Sequence, residues 1–411
     1  MKQRKTRGPI IFLWLPNPFK LSGEAKLLDI ILKVIREEKD IAYLILTQEA
    51  YCTKLLQEHG YDNVFPSVCQ ALSTNKVKVL DMNGFWRSFR VMQKLIKAVS
   101  KYESGVVYVR GCGSILTPLL PVPKPRSLLK DNRPKLIIST GLFGSEVLDP
   151  RIHNFIYKKV SEPNLVRVSK IYESKSYMLK RFILSIINSF MLWKSRDIEI
   201  HTYLKAVSDF FSTLSKNSRL LNLVIDDQFF YFKRKVRWND PTLLAVGRFS
   251  RGKNFEMFII IVDKLRRIFP DLKATIVGSV DDREYYQHVS KMINDKNLKG
   301  VVQLSPKGDR YSIREAYWSH NILLNLSSGA LGIVNAEASL CGTVPVVHKE
   351  LIDAITPWGV VYSNYRECFR KIVRLLNNPE EIKERSIKGA EFARKFFSYG
   401  RFKSLLTNSI L

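Results

Sequence analysis

Cysteine is scarce in this chain: five in 411 residues. Cys52, Cys69, Cys112, Cys341 and Cys368 are odd in number, widely spaced and never arranged as Cys-x-x-Cys. That excludes a disulfide framework and a cysteine zinc site as organising devices, and it leads us to expect a reducing cytoplasmic compartment. Histidine is nearly as rare, six in all, with no metal-ligand spacing. Long apolar runs are also missing, and nothing approaches the ~20 residues that span a bilayer. The opening MKQRKTRGPIIFLWLPNPF superficially resembles a signal peptide. Its apolar run Ile10–Leu15 is too short and is broken at once by Pro16 and Pro18, so a buried strand ending in a loop is expected. Acidic residues are few: 38 Asp+Glu stand against 66 Lys+Arg, leaving +28. Such an excess calls for an acidic partner: nucleic acid, an anionic membrane surface or a phosphorylated substrate.

What is present is ordinary globular material, 45% hydrophobic and 25% charged, enough for two cores at this length. Strand-like and helix-like segments alternate. Residues 11–17 and Ile41–Leu46 read as strands. Between them Ala25–Glu37 carries Leu27, Leu28, Ile31, Leu32 and Ile35 at helical spacing. Gly105–Val109 and Lys135–Ser139 are further short apolar runs. In the second half, strands are expected at Leu243–Val246, Lys273–Val277, Val301–Leu304, Ile322–Leu326 and Val344–Val347. Helices are expected at Asn254–Phe269, with Asn254 as its cap, and at Tyr285–Asn294, Ile313–Trp318 and Ala336–Leu340. This is the pattern of α/β folds with parallel sheets covered on both faces. The short basic stretch Lys233–Asp240 marks a boundary between two doubly wound domains, and a cleft between them would hold a ligand beyond the strand ends.

Two segments carry chemistry. In LLAVGRFSRGKNFEMF (243–258) a strand ends at Gly247, and a loop then offers Arg248 and Lys253 just before a helix. That suits a phosphate or diphosphate, although solvated loop cations are an equally available reading. In LNLSSGALGIVNAEASLCGTVPVV (324–347) a small-residue loop precedes a helix bearing Glu337. Its glycines allow close backbone approach, and a carboxylate there can accept two hydroxyl hydrogen bonds.

In this order, about ninety residues apart, the two segments resemble the carboxyl-terminal domain of the retaining nucleotide-sugar glycosyltransferases of family four, which have the two-domain GT-B fold. The likeness covers most of 241–395. It extends more weakly to LSGEAKLLDIIL (21–32), DIEIHTYLKAVSDFF (197–211) and NLVIDDQFFYFK (222–233). The resemblance implies two Rossmann-like domains facing a cleft: an acceptor domain at 1–235 and a donor domain at 236–385, with a helix at 386–411 returning to the first. It implies transfer of a sugar from a UDP- or GDP-linked donor to a glycan or lipid-linked acceptor, with retention of configuration. Carried over by position, Arg248 and Lys253 hold the donor diphosphate. Gly23, Gly247, Ser328, Gly329, Ala330, Leu331 and Gly332 face the donor, and Glu337 binds its ribose. No Asp-x-Asp occurs, so the basic pair would do a metal's work, with no cofactor and no metal.

The chain also departs from the family pattern. Gly329 stands where the family has the first Glu of Glu-x7-Glu, and Leu331 stands where an aromatic is usual. His348–Leu351 replaces a glycine-rich stretch, and STGLFGSE (139–146) lacks a sugar-contacting histidine. Gly329 motivates an alternative: a non-catalytic nucleotide-sugar-binding or partner subunit on the same fold. Nucleic acid is not expected as a partner, since no basic run with interleaved exposed aromatics and no known binding motif is found. The charge is uneven: residues 1–240 hold 40 Lys+Arg against 21 Asp+Glu, and the remainder 26 against 17. A basic acceptor domain, with Phe182–Trp193 as an interfacial helix at its edge, would suit peripheral contact with the cytoplasmic face of an anionic membrane. A core helix with solvated ends is the other reading of that segment.

Overall fold

In the computed structural model of the chain, the structure describes residues 10–14, 23–38, 41–47, 77–80, 106–110, 135–139, 198–203, 208, 212, 217–326, 332–349 and 357–410. The stretches 140–197 and 327–331 lie outside them. So do Phe182–Trp193, His153, Ser328, Gly329, Ala330 and Leu331.

The chain forms two compact units, each around a parallel sheet. The first takes its described residues from Ile10–Val224 and from Gly400–Ile410; the second is Ile225–Tyr399. The crossings thus fall at 224/225 and 399/400. Backbone bonding fits this placement. Within the second unit Ile225 N–H donates to Phe397 C=O at 2.8 Å, and Tyr399 N–H donates to the Asp227 carboxylate at 3.0 Å.

In the first unit, β1 (Ile10–Trp14), β2 (Ile41–Thr47), β3 (Val77–Leu80), β4 (Val106–Arg110), β5 (Lys135–Ser139), β6 (Ile198–Thr202) and β7 (Ser218–Leu220) lie in the order β3-β2-β1-β4-β5-β6-β7. All neighbours are parallel. Helix α1 (Gly23–Glu38) follows β1 and buries Leu27, Ile31, Leu32, Val34 and Ile35, one stripe at helical spacing. The last helix, α8 (Tyr399–Ile410), buries Phe402, Leu406 and Ser409 at i, i+4 and i+7. Arg219 donates to Ser409 Oγ at 2.6 Å, and Lys403 pairs with Glu37 of α1 at 2.8 Å. The chain's end thereby completes the first unit.

In the second unit, β8 (Thr242–Val246), β9 (Lys273–Val277), β10 (Val302–Ser305), β11 (Ile322–Asn325), β12 (Val344–His348) and β13 (Val360–Tyr362) lie in the order β10-β9-β8-β11-β12-β13, again all parallel. β8 and β11 are buried along their whole length, as parallel strands covered on both faces must be. Helices α2 (Phe255–Leu265), α3 (Arg283–Asp295), α4 (Arg310–Trp318), α5 (Ile333–Cys341), α6 (Tyr365–Leu376) and α7 (Pro379–Phe397) supply that cover. α2 buries Phe255, Met257, Phe258, Ile259, Ile261, Val262 and Leu265. Its run of β-branched residues is a poor helix former, so tertiary packing holds it. The strand order reverses between β8 and β11, the position where open α/β sheets take ligands.

The segment leading into β8 corrects one expectation. Phe229–Trp238 does interleave cations with aromatics, and Tyr231 and Phe232 are exposed. Much of it is engaged internally. Arg234 lies 3.9 Å over the Trp238 ring, Lys233 4.8 Å over Trp318, and Arg314 of α4 4.3 Å over Phe229.

Leu406 is fully buried in α8. Replacing it by Ala should cost about 2–5 kcal/mol of the first unit's stability through the lost packing and the cavity left. Chemical denaturation of the wild type and Leu406→Ala measures it, and an unchanged midpoint would contradict the docking of this helix.

Candidate functional site

The loops that follow β8, β9 and β10 are stacked on one another by their backbones. Gly247 N–H donates to Val277 C=O at 3.0 Å, and Gly278 N–H donates to Ser305 C=O at 3.0 Å. Phe249 N–H then reaches Ser279 C=O at 2.8 Å, and Asp282 N–H returns to Phe249 C=O at 2.9 Å. A parallel bridge joins Phe249 to Val280. The approach is so close that a Cβ on Gly278 would lie 1.8 Å from the Gly247 carbonyl oxygen. One on Gly308, whose φ is +53°, would lie 2.1 Å from Ser279 N. Only glycine fits either place. Phe249, wholly buried, anchors the first loop edge-on against Phe255 and Tyr286, with ring centroids 5.2 and 4.9 Å away.

This frame sets out the two expected cations differently. Arg248 faces outward and donates through Nη1 to Asp281 Oδ2 at 2.7 Å. Lys253 ends a short 3₁₀ turn, Arg251–Lys253, and its stem lies over Gly247: a Cβ there would meet Lys253 Cδ and Cε at 3.0 Å. No carboxylate pairs with Lys253 among the described residues. Burial, and then the nearby Arg248 charge, lower its pKa to about 8. The sign follows by linkage. Between about pH 8 and the ordinary lysine range the unfolded chain binds this proton and the native one does not, so this site's contribution to stability rises with pH there.

Asn254 stands at the cap of α2 as expected, but in the left-handed region (φ 53°), and its side chain makes no capping bond. The first helical amide, Phe255 N–H, donates instead to Tyr285 Oη at 2.9 Å, and that hydroxyl donates to Glu256. The anion-binding character of the loop therefore rests on Arg248 and Lys253 more than on this amide. Asp281 and Asp282 escaped the sequence reading. Their signal was the acidic pair directly after the β9 strand, in GSVDDRE (278–284).

The second segment begins its helix at Gly332, which is left-handed at φ 72°, and Asn335 N–H donates to Gly332 C=O at 2.8 Å. Gly342, at φ 90°, ends the helix; a Cβ there would lie 2.8 Å from the Phe232 ring. Every side chain from Asn335 to Cys341 is buried. Glu337 is 2% exposed and accepts a hydrogen bond from Tyr317 Oη at 3.3 Å. Burial first, and then the Glu337 charge, push the Tyr317 hydroxyl well above its ordinary pKa, so it stays a donor. Tyr317, on α4, was not anticipated from sequence. Beside this pair Asn325, at the end of β11, donates to Asn335 Oδ1 at 2.8 Å. Gly23 is the first residue of α1, in the first unit. Among the described residues no group of three or more His, Cys, Asp or Glu is arranged to hold a metal ion. No helix among them is long and apolar enough to cross a membrane.

Residues 226–391 match the family model for glycosyl transferases group 1. No curated protein matches the chain by sequence. Among solved structures, HepE from Anabaena in complex with UDP superposes with a TM-score of 0.66 at 14% identity, covering 98% of this chain and 99% of that one. A glycosyltransferase from Rickettsia africae gives 0.63 at 12% identity, covering 98% of each chain. Sucrose-phosphate synthase from Thermosynechococcus elongatus gives 0.60 at 14% identity, also covering 98% of each. The chain has the GT-B glycosyltransferase fold, an α/β fold of parallel sheets and helices.

The titration of Lys253 can be measured directly by NMR of the ¹³C-methylated lysines. Its midpoint is expected at about pH 8 and should rise in Arg248→Ala, which removes the neighbouring positive charge. An ordinary lysine midpoint in the wild type would contradict the site as described.

Proposed function

We propose that the protein transfers a sugar from a nucleoside-diphosphate-sugar, UDP- or GDP-linked, to a hydroxyl of a glycan or lipid-linked acceptor, with retention of configuration. The observation that carries this is Lys253: a half-buried lysine with no acidic partner among the described residues, beside Arg248, at the carboxyl end of the central strand of a GT-B sheet. A buried cation without a counter-charge is costly, and an anionic ligand removes that cost. The match of 226–391 to glycosyl transferases group 1 and the solved HepE complexes with UDP and with UDP-glucose support the same reading.

In this mechanism the leaving group is a nucleoside diphosphate. Negative charge grows on its oxygens as the glycosidic bond breaks. Arg248 and Lys253, held in place by the glycine-stacked loops, stabilise that charge more in the transition state than in the bound donor. The acceptor hydroxyl attacks the face the diphosphate leaves and passes its proton to the departing diphosphate oxygen, so configuration is retained. Gly247 lets the Lys253 stem lie flat across the strand end. Glu337, oriented by Tyr317, accepts the ribose hydroxyls. The two cations serve where other enzymes use a metal, and no cofactor is required.

Gly329 favours a second reading. With no carboxylate at that position, the same scaffold would bind a nucleotide-sugar without turning it over, as a partner subunit. Turnover separates the two. Under the first reading, Arg248→Ala or Lys253→Ala lowers kcat by roughly 10²–10³ on the accepted donor. A wild type that binds nucleotide yet neither hydrolyses nor transfers from any UDP-, GDP- or ADP-sugar establishes the second. Thermal shift across a nucleotide-sugar panel identifies the donor first.

The acceptor side rests on charge. The surplus concentrated in residues 1–240 suits a lipid-phosphate carrier at the cytoplasmic face of an anionic membrane, with the protein bound peripherally. Co-sedimentation with vesicles should rise with their anionic lipid content and fall with salt. Binding indifferent to both would remove the membrane from the proposal.

A further inference from the structure

The two cations of the candidate site are not equivalent in the free protein. Lys253 has no acidic partner among the described residues, whereas Arg248 is held by Asp281 at 2.7 Å. We infer that Asp281 is a displaceable counter-anion: it occupies Arg248 in the free protein and yields it to the incoming diphosphate, so that loading and release of the nucleotide exchange one anion for another on a single guanidinium. The inference rests on the diphosphate reading of this site and adds a residue that opposes binding.

The backbone brings the pair together before either side chain acts. The Phe249 and Ser279 hydrogen bond, the Asp282 and Phe249 hydrogen bond and the Phe249–Val280 bridge fix the loop after β8 against the loop after β9. Gly278 permits their contact. Arg248 and Asp281 project from that frame, which sets their backbones side by side and leaves the side chains to meet at the cost of their own rotamer freedom. The pair is nevertheless open to solvent, with side chains 38% and 39% exposed. An ion pair of that exposure contributes little, because water and salt screen it. Among the described residues the pair makes one bond, Nη1 to Oδ2, and the guanidinium carries further N–H groups. A diphosphate offers several charged oxygens and can take the guanidinium in two-point geometry, so it displaces one weakly held carboxylate readily.

The displaced carboxylate does not leave, because the frame keeps it beside the bound diphosphate. There it repels the ligand's charge and competes for the same N–H groups when the product departs. A second, looser contact lies alongside: Arg251 Nε, three residues after Arg248, is 4.0 Å from Oδ2 of Asp282, the next residue after Asp281, with the arginine mostly exposed. Asp281 thus weakens nucleotide binding in a way a purely attractive site would not, and such opposing groups are a means of setting selectivity and release.

The test compares UDP, GDP and inorganic pyrophosphate binding by calorimetry to the full-length wild type, Asp281→Asn, Asp281→Glu and Arg248→Ala at two salt concentrations. Asp281→Asn should bind UDP or pyrophosphate about threefold to tenfold more tightly than the wild type, with the gain shrinking at high salt. Asp281→Glu, which keeps the charge, should restore the wild-type affinity. A residue that merely shaped the loop would not give a gain that shrinks with salt and vanishes in the charge-keeping Asp281→Glu. If the wild type binds and Arg248→Ala weakens binding, but Asp281→Asn binds no more tightly than the wild type, the counter-anion role is overturned and the diphosphate site stands. If the wild type binds none of the three ligands, or Arg248→Ala binds them as well as the wild type, the diphosphate reading falls and this inference falls with it.

Discussion

Gly278 has no room for a side chain. A Cβ there would sit 1.8 Å from the carbonyl oxygen of Gly247, and much of the candidate site depends on that contact. It lets the loop after β8 lie directly on the loop after β9, and Gly308 lets the loop after β10 lie on the second in turn. Because the strands are parallel and buried, their carboxyl ends come to one edge, and the loops leaving them must share that edge. Glycine is the residue that lets three backbones do so at hydrogen-bonding distance.

Once the loops are fixed, electrostatics follows from position. Lys253 crosses the bare face of Gly247, loses water and meets no carboxylate among the described residues, so its proton is held weakly, at a pKa of about 8. Arg248 is turned outward to a loop that carries two aspartates and finds a partner at once. Two cations five residues apart in sequence thereby differ in kind: one is largely desolvated with no acidic partner among the described residues, the other half-exposed and paired. An incoming anion would relieve the first and compete for the second. The helix α5 shows the complementary case. There a carboxylate, Glu337, is buried among small side chains and accepts a hydrogen bond from the Tyr317 hydroxyl.

Much of the fold was legible because a doubly wound sheet writes itself in alternation. The strand expected at Lys273–Val277 forms over those residues, and β8, β11 and β12 form within a residue or so of theirs. The helix expected over Asn254–Phe269 is shorter, ending at Leu265, with the remaining residues in a tight turn where Ile268 N–H and Phe269 N–H both donate to Leu265 C=O before Pro270. Apolar spacing continued past the point where backbone geometry changed, which is why the pattern overran. The cap position is as expected, but its capping bond is not made. Asn254 is left-handed there, and the Phe255 amide goes to Tyr285, thirty residues away.

Sequence alone therefore determined the class of fold, the position of the strand ends and the two basic residues offered beyond one of them. These depend on local spacing and on the order of elements along the chain. Tertiary structure decided which of those residues are paired. Asp281 meets Arg248, Tyr317 meets Glu337 and Tyr285 meets the first amide of α2 only after distant segments have packed. The reason is physical: helical and strand periodicities reach a few residues, whereas the burial and charge that set a side chain's behaviour are supplied by neighbours the chain brings near only by folding.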